Sequence, residues 1–329
     1  MRVLIIAPSW VGDAVLTHPL LVRLKERGPS SAIDVLAPAW ALAVFRRMPE
    51  VSQAIALPFG HGDLQLGKRR AFARSLAEYD QAIVLPNSFK SALVPWHAGI
   101  PVRTGYRGEL RYGLLNDLRR LDEEALPLIV ERFAALAQPA GQALRRPVAE
   151  PRLRVDAVAR SAVLGKFALD TSRPVAAFAP GAEYGPAKRW PARHFAELGR
   201  LMVERGWQVW LFGSSKDVEI TREIAAAVPG CIDLAGRTTL DEAIDLLSLA
   251  AHVVTNDSGL MHVAAALDRS MAAIFGSSSP EFTPPLSSKA RVISLRLSCS
   301  PCFARVCPLG HTNCLVQLEP ARVLTETGV

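Results

Sequence analysis

"RPVAAFAPGAEYG", residues 173–185, repeats in outline the opening of the chain, "MRVLIIAPSWVGD", residues 1–13. Each is an apolar run, then Ala-Pro, then a short loop of small and polar residues. A chain that begins twice in this way predicts two domains of one plan, and 329 residues are enough for two separate cores. The segment before the restart reads as a boundary. "QPAGQALRRPVAEPRLRV" is rich in Pro, Gly and charge, and "DAVARSAVLGKFAL" after it has a helical pattern. The break is placed near residues 145–170, with 1–155 and 156–329 as the two domains.

The same plan shows within each half. Strand candidates are "VLIIAP", "AIDVLAP", "QAIAL" and "QAIVLPN" in the first, and "VAAFAPG", "QVWLFGSS", "CIDLAG", "HVVTND" and "MAAIFGSSS" in the second. Most are continuous apolar runs rather than alternating ones, as in strands covered on both faces of a parallel sheet. Amphipathic segments such as "PARHFAELGRLMVERG" and "LDEAIDLLSLAAH" lie between them. Strand–helix alternation predicts α/β folding, with two Rossmann-like doubly wound domains facing across a cleft. Ligands in such sheets bind outside the carboxyl ends of the strands, so chemistry is sought in the loops that follow them.

Composition excludes several classes. Apolar stretches are interrupted well short of the ~20 residues that a membrane-spanning helix needs, and the first residues lack a secretory signal pattern. A cytoplasmic location is the expectation. The net charge is +7. Residues 1–150 hold 19 Lys and Arg against 14 Asp and Glu, and residues 151–329 hold 19 against 17. Basic residues recur in "GKRRAFAR" and "RTGYRGELRYGLLNDLRR", which suits a solvated face, an anionic substrate or an anionic membrane surface. No helix-turn-helix, zinc-finger or RNA-recognition signature accompanies them, so nucleic acid is not expected as a partner.

No G-x-G-x-x-G follows a strand and no P-loop motif occurs, so the main signals of dinucleotide oxidoreductases and P-loop hydrolases are missing. Phosphate must then be held by helix ends and basic side chains. "VVTNDSGLMHVAAAL", residues 253–267, offers this arrangement. A strand runs into Asp257, Ser258 and Gly259, a helix start follows, and His262 lies about one turn in; the bland alternative is an ordinary capped helix with a packed histidine. "APGAEYGPAKRWP", residues 179–191, is a second strand-exit loop, whose Lys188 either reaches a diphosphate or is merely solvated. In "LFGSSKDVEI", residues 211–220, Gly213 and Ser214 permit close approach of a nucleotide, and Asp217 or Glu219 either accepts from ribose or begins a helix. In the first domain, Gly12 and Asp13 end the loop after the first strand. Asp13 is a candidate general base or a helix cap. Finally, "CSPCFARVCPLGHTNC" carries Cys299, Cys302, Cys307, His311 and Cys314, a possible structural zinc set or a group of free thiols. The Pro-rich run "SSSPEFTPPL" before it is expected to lead this segment away from the sheet.

Taken in order, "SWVGDAVLTHPLL", "PGAEYGPAKRWP", "LFGSSKDVE", "TNDSGLMHVAAAL" and "CSPCFARVCPLGHTNCL" resemble the ADP-heptose:lipopolysaccharide heptosyltransferases, glycosyltransferases of the GT-B fold, over essentially the whole chain. The likeness is strongest to the branch that adds a second heptose to the first on the growing inner core. The resemblance implies Asp13 as the base that deprotonates the acceptor hydroxyl, with inversion at the donor's anomeric carbon. It implies Lys188 on the donor diphosphate, and Asp257, Ser258, Gly259 and His262 in the donor loop, with Gly12, Gly213, Ser214 and Asp217 as further binding residues. It implies no metal or other cofactor. The partners it implies are ADP-heptose, a phosphorylated lipid A acceptor bearing Kdo and heptose, and peripheral contact with the cytoplasmic face of the inner membrane. Transfer to a Kdo-lipid acceptor, another GT-B nucleotide-sugar transferase, and a nucleotide-sugar binding module without turnover are the alternatives.

Overall fold

The computed structural model describes residues 1–60 and 64–327 and divides the chain into two units, Met1–Pro151 and Arg152–Val329. The first unit is built on β1 (Arg2–Ile6), β2 (Ala32–Pro38), β3 (Gln53–Leu57), β4 (Gln81–Val84), β5 (Val102–Tyr106) and β6 (Asp117–Arg119). They form one six-stranded sheet in the order β3-β2-β1-β4-β5-β6. Every pairing is parallel; on β1, Val3 lies between Ile33 and Gln81.

The second unit repeats this order. Its strands are β7 (Val175–Ala179), β8 (Gln208–Leu211), β9 (Ile232–Asp233), β10 (His252–Asn256), β11 (Met271–Ile274) and β12 (Ala290–Ile293). The sheet runs β12-β11-β10-β7-β8-β9, again all parallel. Renumbered from its own first strand, this is the 3-2-1-4-5-6 order of the Rossmann fold, present once in each unit. The chain reverses direction across the sheet between β1 and β4, and again between β7 and β10. The loops leaving those strands therefore diverge and open a crevice at each carboxyl edge.

The central strands are buried on both faces: all five residues of β7 and all five of β10 are out of water. That is why β7 reads as an unbroken apolar run; in β10 the buried polar residues His252, Thr255 and Asn256 each make a hydrogen bond. Three strands have no such run. β5 (VRTGY) and β6 (DLR) carry arginines, and β12 (ARVI) has two exposed residues. Being at or next to an edge, they are only half covered and do not stand out by hydrophobicity.

The core of the second unit joins Phe178, Trp190, Phe195, Leu198 and Met202 to Leu315, Leu318, Val323 and Leu324. Each fully buried side chain of this size stabilises the fold by about 1.5–3 kcal/mol. The last four residues come from the chain beyond the cysteine-rich segment. This corrects the expectation that the Pro-rich run carries that segment away. It turns back instead: the Ser300 hydroxyl donates to Gly276 O at 2.5 Å and Phe303 N to Ser277 O at 2.6 Å, both just past the end of β11. Cys314 is buried with Leu315, whose side chain packs so tightly on Gly276 that a Cβ there would lie 2.6 Å from it.

Among the described residues, no helix is long and apolar enough to cross a membrane.

Candidate active site

At the crevice of the second sheet, the loops after β7 and β10 are stitched together by one buried side chain. Asn256, the last residue of β10, donates from Nδ2 to Pro180 O at 2.7 Å and accepts from Trp190 N at 3.0 Å. A buried amide with both ends satisfied fixes loop against loop. Held in this way, the short 3₁₀ turn Pro186–Lys188 points the lysine back at the end of β10. Lys188 Nζ donates to Asp257 Oδ2 at 2.5 Å, and Ser278 Oγ donates to the same oxygen at 2.5 Å. The lysine side chain is 16% exposed and the carboxylate 6%. Lys188 Nζ also lies 4.9 Å from the centre of the Tyr184 ring, and the Arg305 guanidinium 5.0 Å from it.

The helix Gly259–Ala266 begins immediately after Asp257 and Ser258. Its free amide ends make the position receptive to negative charge. Ser258 shares a hydrogen bond with Thr255 at 3.2 Å. His262 is buried one turn into this helix, and its Nδ1 has no hydrogen-bond partner among the described residues. Burial pushes its pKa down to about 4; Asp257 works against that and Lys188 with it. The imidazole is therefore neutral at neutral pH. The structure thus gathers Lys188, Asp257, Ser258, Gly259 and His262 at one crevice.

Gly213, Ser214 and Asp217 lie along the neighbouring strand exit, after β8. Asp217 Oδ2 accepts from both the amide and the hydroxyl of Ser214 at 2.8 Å, closing a capping box on the 3₁₀ turn Ser215–Asp217. Its other oxygen faces Gly181, where a Cβ would lie 2.4 Å away. Asp217 is thus engaged in shaping the loop, and Gly181 is the small residue that lets it in. Glu219 is exposed in the first turn of the next helix, Val218–Ala227.

In the first unit, the loop after β1 leads into the helix Val11–Leu16. The N-cap is Trp10, so Asp13 occupies the first turn rather than the cap, with Gly12 just before it. Asp13 is half-buried, and its backbone carbonyl accepts from the Thr17 hydroxyl at 2.9 Å. The basic clusters divide into two populations. Arg69 is buried and donates to Leu64 O, while Arg103, Arg111 and Arg119 bind backbone carbonyls of their own unit. Arg70, Arg74, Arg107 and Arg120 are exposed and available to an anionic partner.

Sequence reasoning missed Ser278 and Arg305. Ser278 lies in a serine run directly after a strand, a place where a signal existed. Arg305 enters only because the cysteine-rich segment folds back: Ala187 N donates to Arg305 O at 3.1 Å and the Tyr184 hydroxyl to Phe303 O at 2.6 Å. This strap supports the loop that carries Lys188. All five cysteines are free thiols. Backbone amides of residues 309–312, that of Thr312 foremost, hold the Cys307 thiol below the usual range, whereas burial pushes Cys314 up. Among the described residues, no three His, Cys, Asp or Glu side chains are grouped to hold a metal ion.

Two parallel sheets of Rossmann order, with an anion-receptive crevice at the second, are an architecture shared by many nucleotide-binding proteins. The comparison with known families decides among them. The description "Glycosyltransferase family 9 (heptosyltransferase)" matches residues 69–313. The chain belongs to glycosyltransferase family 9. This family 9 chain is 51% identical to lipopolysaccharide heptosyltransferase 2 of Escherichia coli strain K12, over 99% of this chain and 97% of that one. It is 50% identical, with the same coverage, to lipopolysaccharide heptosyltransferase 2 of Salmonella typhimurium. Among solved structures, the E. coli ADP-heptose lps heptosyltransferase II superposes with a TM-score of 0.90 at 49% identity, covering 100% of this chain and 98% of that one. The glycosyltransferase therefore has the GT-B type of α/β fold that its sequence motifs resemble.

Proposed function

We propose that this glycosyltransferase moves heptose from ADP-heptose onto the first heptose of the lipopolysaccharide inner core. The acceptor is a phosphorylated lipid A bearing Kdo and heptose, met at the cytoplasmic face of the inner membrane. The reading rests first on near-50% identity, end to end, to relatives named for that activity. The observation in this chain that carries it is the lysine held over a helix start, Lys188 with Asp257, Ser278 and a neutral His262. Such a group stabilises negative charge that develops on a departing diphosphate.

In the proposed step, Asp13 takes the proton of the acceptor hydroxyl as its oxygen attacks the anomeric carbon. The new glycosidic C–O bond forms as the bond from that carbon to the diphosphate oxygen breaks, with inversion. ADP leaves with its added charge opposite Lys188. Gly12 keeps backbone close to the acceptor; Ser258, Gly259 and the Gly213–Ser214 loop approach the nucleotide. No metal ion or other cofactor takes part. The exposed arginines of the first unit, Arg70, Arg74, Arg107 and Arg120, receive the anionic groups of the acceptor and of the membrane surface.

ADP release from ADP-heptose tests this with two acceptors side by side, one carrying Kdo alone and one carrying Kdo and a heptose. Release only with the heptose-bearing acceptor supports the assignment. Release only with the Kdo acceptor moves the enzyme one step earlier. No release with either, from folded protein, removes the reading in favour of another donor or of binding without turnover.

A further inference from the structure

The loop after β1 breaks a local rule. Helix N-caps favour Ser, Thr, Asp and Asn, whose side chains take up an orphan amide hydrogen, and an apolar cap costs roughly 1 kcal/mol. The helix Val11–Leu16 is capped by Trp10, which makes no side-chain cap hydrogen bond. Trp10 is also left 47% exposed, with about half of its indole in water. A second exposed indole is tied to the same loop. Trp40 lies in the 3₁₀ turn Ala39–Ala41 that follows β2, and it is 52% exposed. Its Nε1 donates to Ser9 O at 2.9 Å. β1 and β2 are neighbours, with Ile6 opposite Leu36, so their exit loops emerge side by side. The hydrogen bond pins the Trp40 ring to the loop that holds Trp10, Gly12 and Asp13.

Local rules broken in this way concentrate at functional sites. Exposed aromatic residues mark recognition surfaces, and tryptophan offers a large rigid face at little cost in side-chain entropy. We propose that Trp10 and Trp40 form an aromatic platform that binds a pyranose ring of the acceptor oligosaccharide and sets it beside Asp13. The C–H face of a pyranose is apolar and lies flat on an indole, while its hydroxyls project from the ring edge and stay available to polar groups. A saccharide fits this pair better than a bilayer does. Membrane-interface tryptophans keep one polar end for the wet headgroup layer, whereas the Trp40 N–H is committed to Ser9. The inference rests on the proposed heptose acceptor.

The test uses the full chain, ADP-heptose and a soluble, delipidated Kdo–heptose oligosaccharide. Trp10→Ala and Trp40→Ala are each expected to raise KM for the oligosaccharide about tenfold or more, the size of a recognition hot spot. KM for ADP-heptose stays unchanged. Trp40→Phe, which keeps a ring, raises KM less than Trp40→Ala. Without donor, the oligosaccharide changes the tryptophan emission of the wild type, and the Trp10→Ala/Trp40→Ala variant loses that change. Unchanged oligosaccharide KM in folded variants overturns the platform. So does loss of binding to phosphatidylglycerol vesicles with oligosaccharide KM unchanged, which assigns the indoles to lipid. Failure of the wild type to turn over ADP-heptose on this acceptor strikes the proposed function instead, and the emission titration still reads the platform.

Discussion

Lys188→Ala separates the electrostatic role of the lysine from its structural one. Its ammonium lies 2.5 Å from an Asp257 carboxylate that is 6% exposed. At an effective dielectric of about 20, that separation corresponds to a gross attraction of roughly 7 kcal/mol. Desolvation of both groups takes back most of it, so the net value of the pair is small. Removing one partner is another matter. Asp257 then keeps only the Ser278 hydroxyl at Oδ2 among the bonds the lysine shared, and the stranded charge costs about 3 kcal/mol. Asp257→Asn costs less, because Lys188 is 16% exposed and water reaches it more readily. The double variant recovers part of the loss, and the cycle returns a coupling of about 1.5–3 kcal/mol. Urea unfolding followed by the emission of Trp190 and Trp210, both fully buried in the second unit, reads this directly. The same Lys188→Ala enzyme loses about 10²–10³ in kcat if the lysine also meets the leaving diphosphate. A coupling below about 0.5 kcal/mol, within the error of additivity, refutes the buried-pair argument. Full stability loss with kcat unchanged refutes the catalytic one.

Four further outcomes follow from the same geometry. Asp13→Asn lowers kcat at least ~100-fold, the usual span of a general base, with donor affinity measured by calorimetry unchanged. Burial holds the pKa of both His262 and His252 at about 4, against 6.5 for the free side chain, so the unfolded chain takes up their protons first as pH falls. Stability drops from pH 6.5 to about 4 and then levels off, by up to about 3 kcal/mol per histidine. Urea midpoints across that range fall less steeply in His262→Gln. Gly185→Ala places a Cβ 2.4 Å from the Arg305 backbone oxygen, so the strap must shift. The expected loss is about 1–3 kcal/mol in the second unit, with a fall in kcat/KM for the donor. Turnover persists after EDTA treatment, with metal analysis giving less than about 0.1 zinc per chain, because the proposed chemistry uses side chains and amides alone.

Legibility in the sequence follows burial. β1, β2, β7 and β10 could be read directly, since strands covered on both faces are built around apolar residues, with few polar ones such as Asp34 and His252. β5, β6 and β12 escaped because half-covered strands admit arginine, threonine and aspartate without penalty to the core. The loop after β10 was legible as a strand exit into a helix start because Asn-Asp-Ser-Gly before a helix has a local meaning. The serine run after β11 marked a strand exit, but singling out Ser278 within it required a contact 21 residues away along the chain. The arginines of "RTGYRGELRYGLLNDLRR" illustrate the limit most clearly. By composition they form a basic patch. In the structure Arg111 is buried and donates to Pro86 O and Asn87 Oδ1, and Arg119 reaches Ala135 O and Gln138 O. Charge alone does not tell a cation that meets a partner from one that braces a loop.

The return of residues 299–324 into the second unit has a consequence for the order in which the protein is made. Leu315, Leu318, Val323 and Leu324 belong to the same core as β7, and the strap holds the lysine loop. On the ribosome, the unit Met1–Pro151 has its whole sequence available well before the other does. At ~5–20 residues per second the delay is on the order of ten seconds or more. A nascent chain therefore passes through a stage with the Asp13 loop folded and the Lys188 loop unsupported. Ribosomal stalling or C-terminal trimming in this window leaves a chain whose second unit lacks both the strap under the Lys188 loop and part of its core.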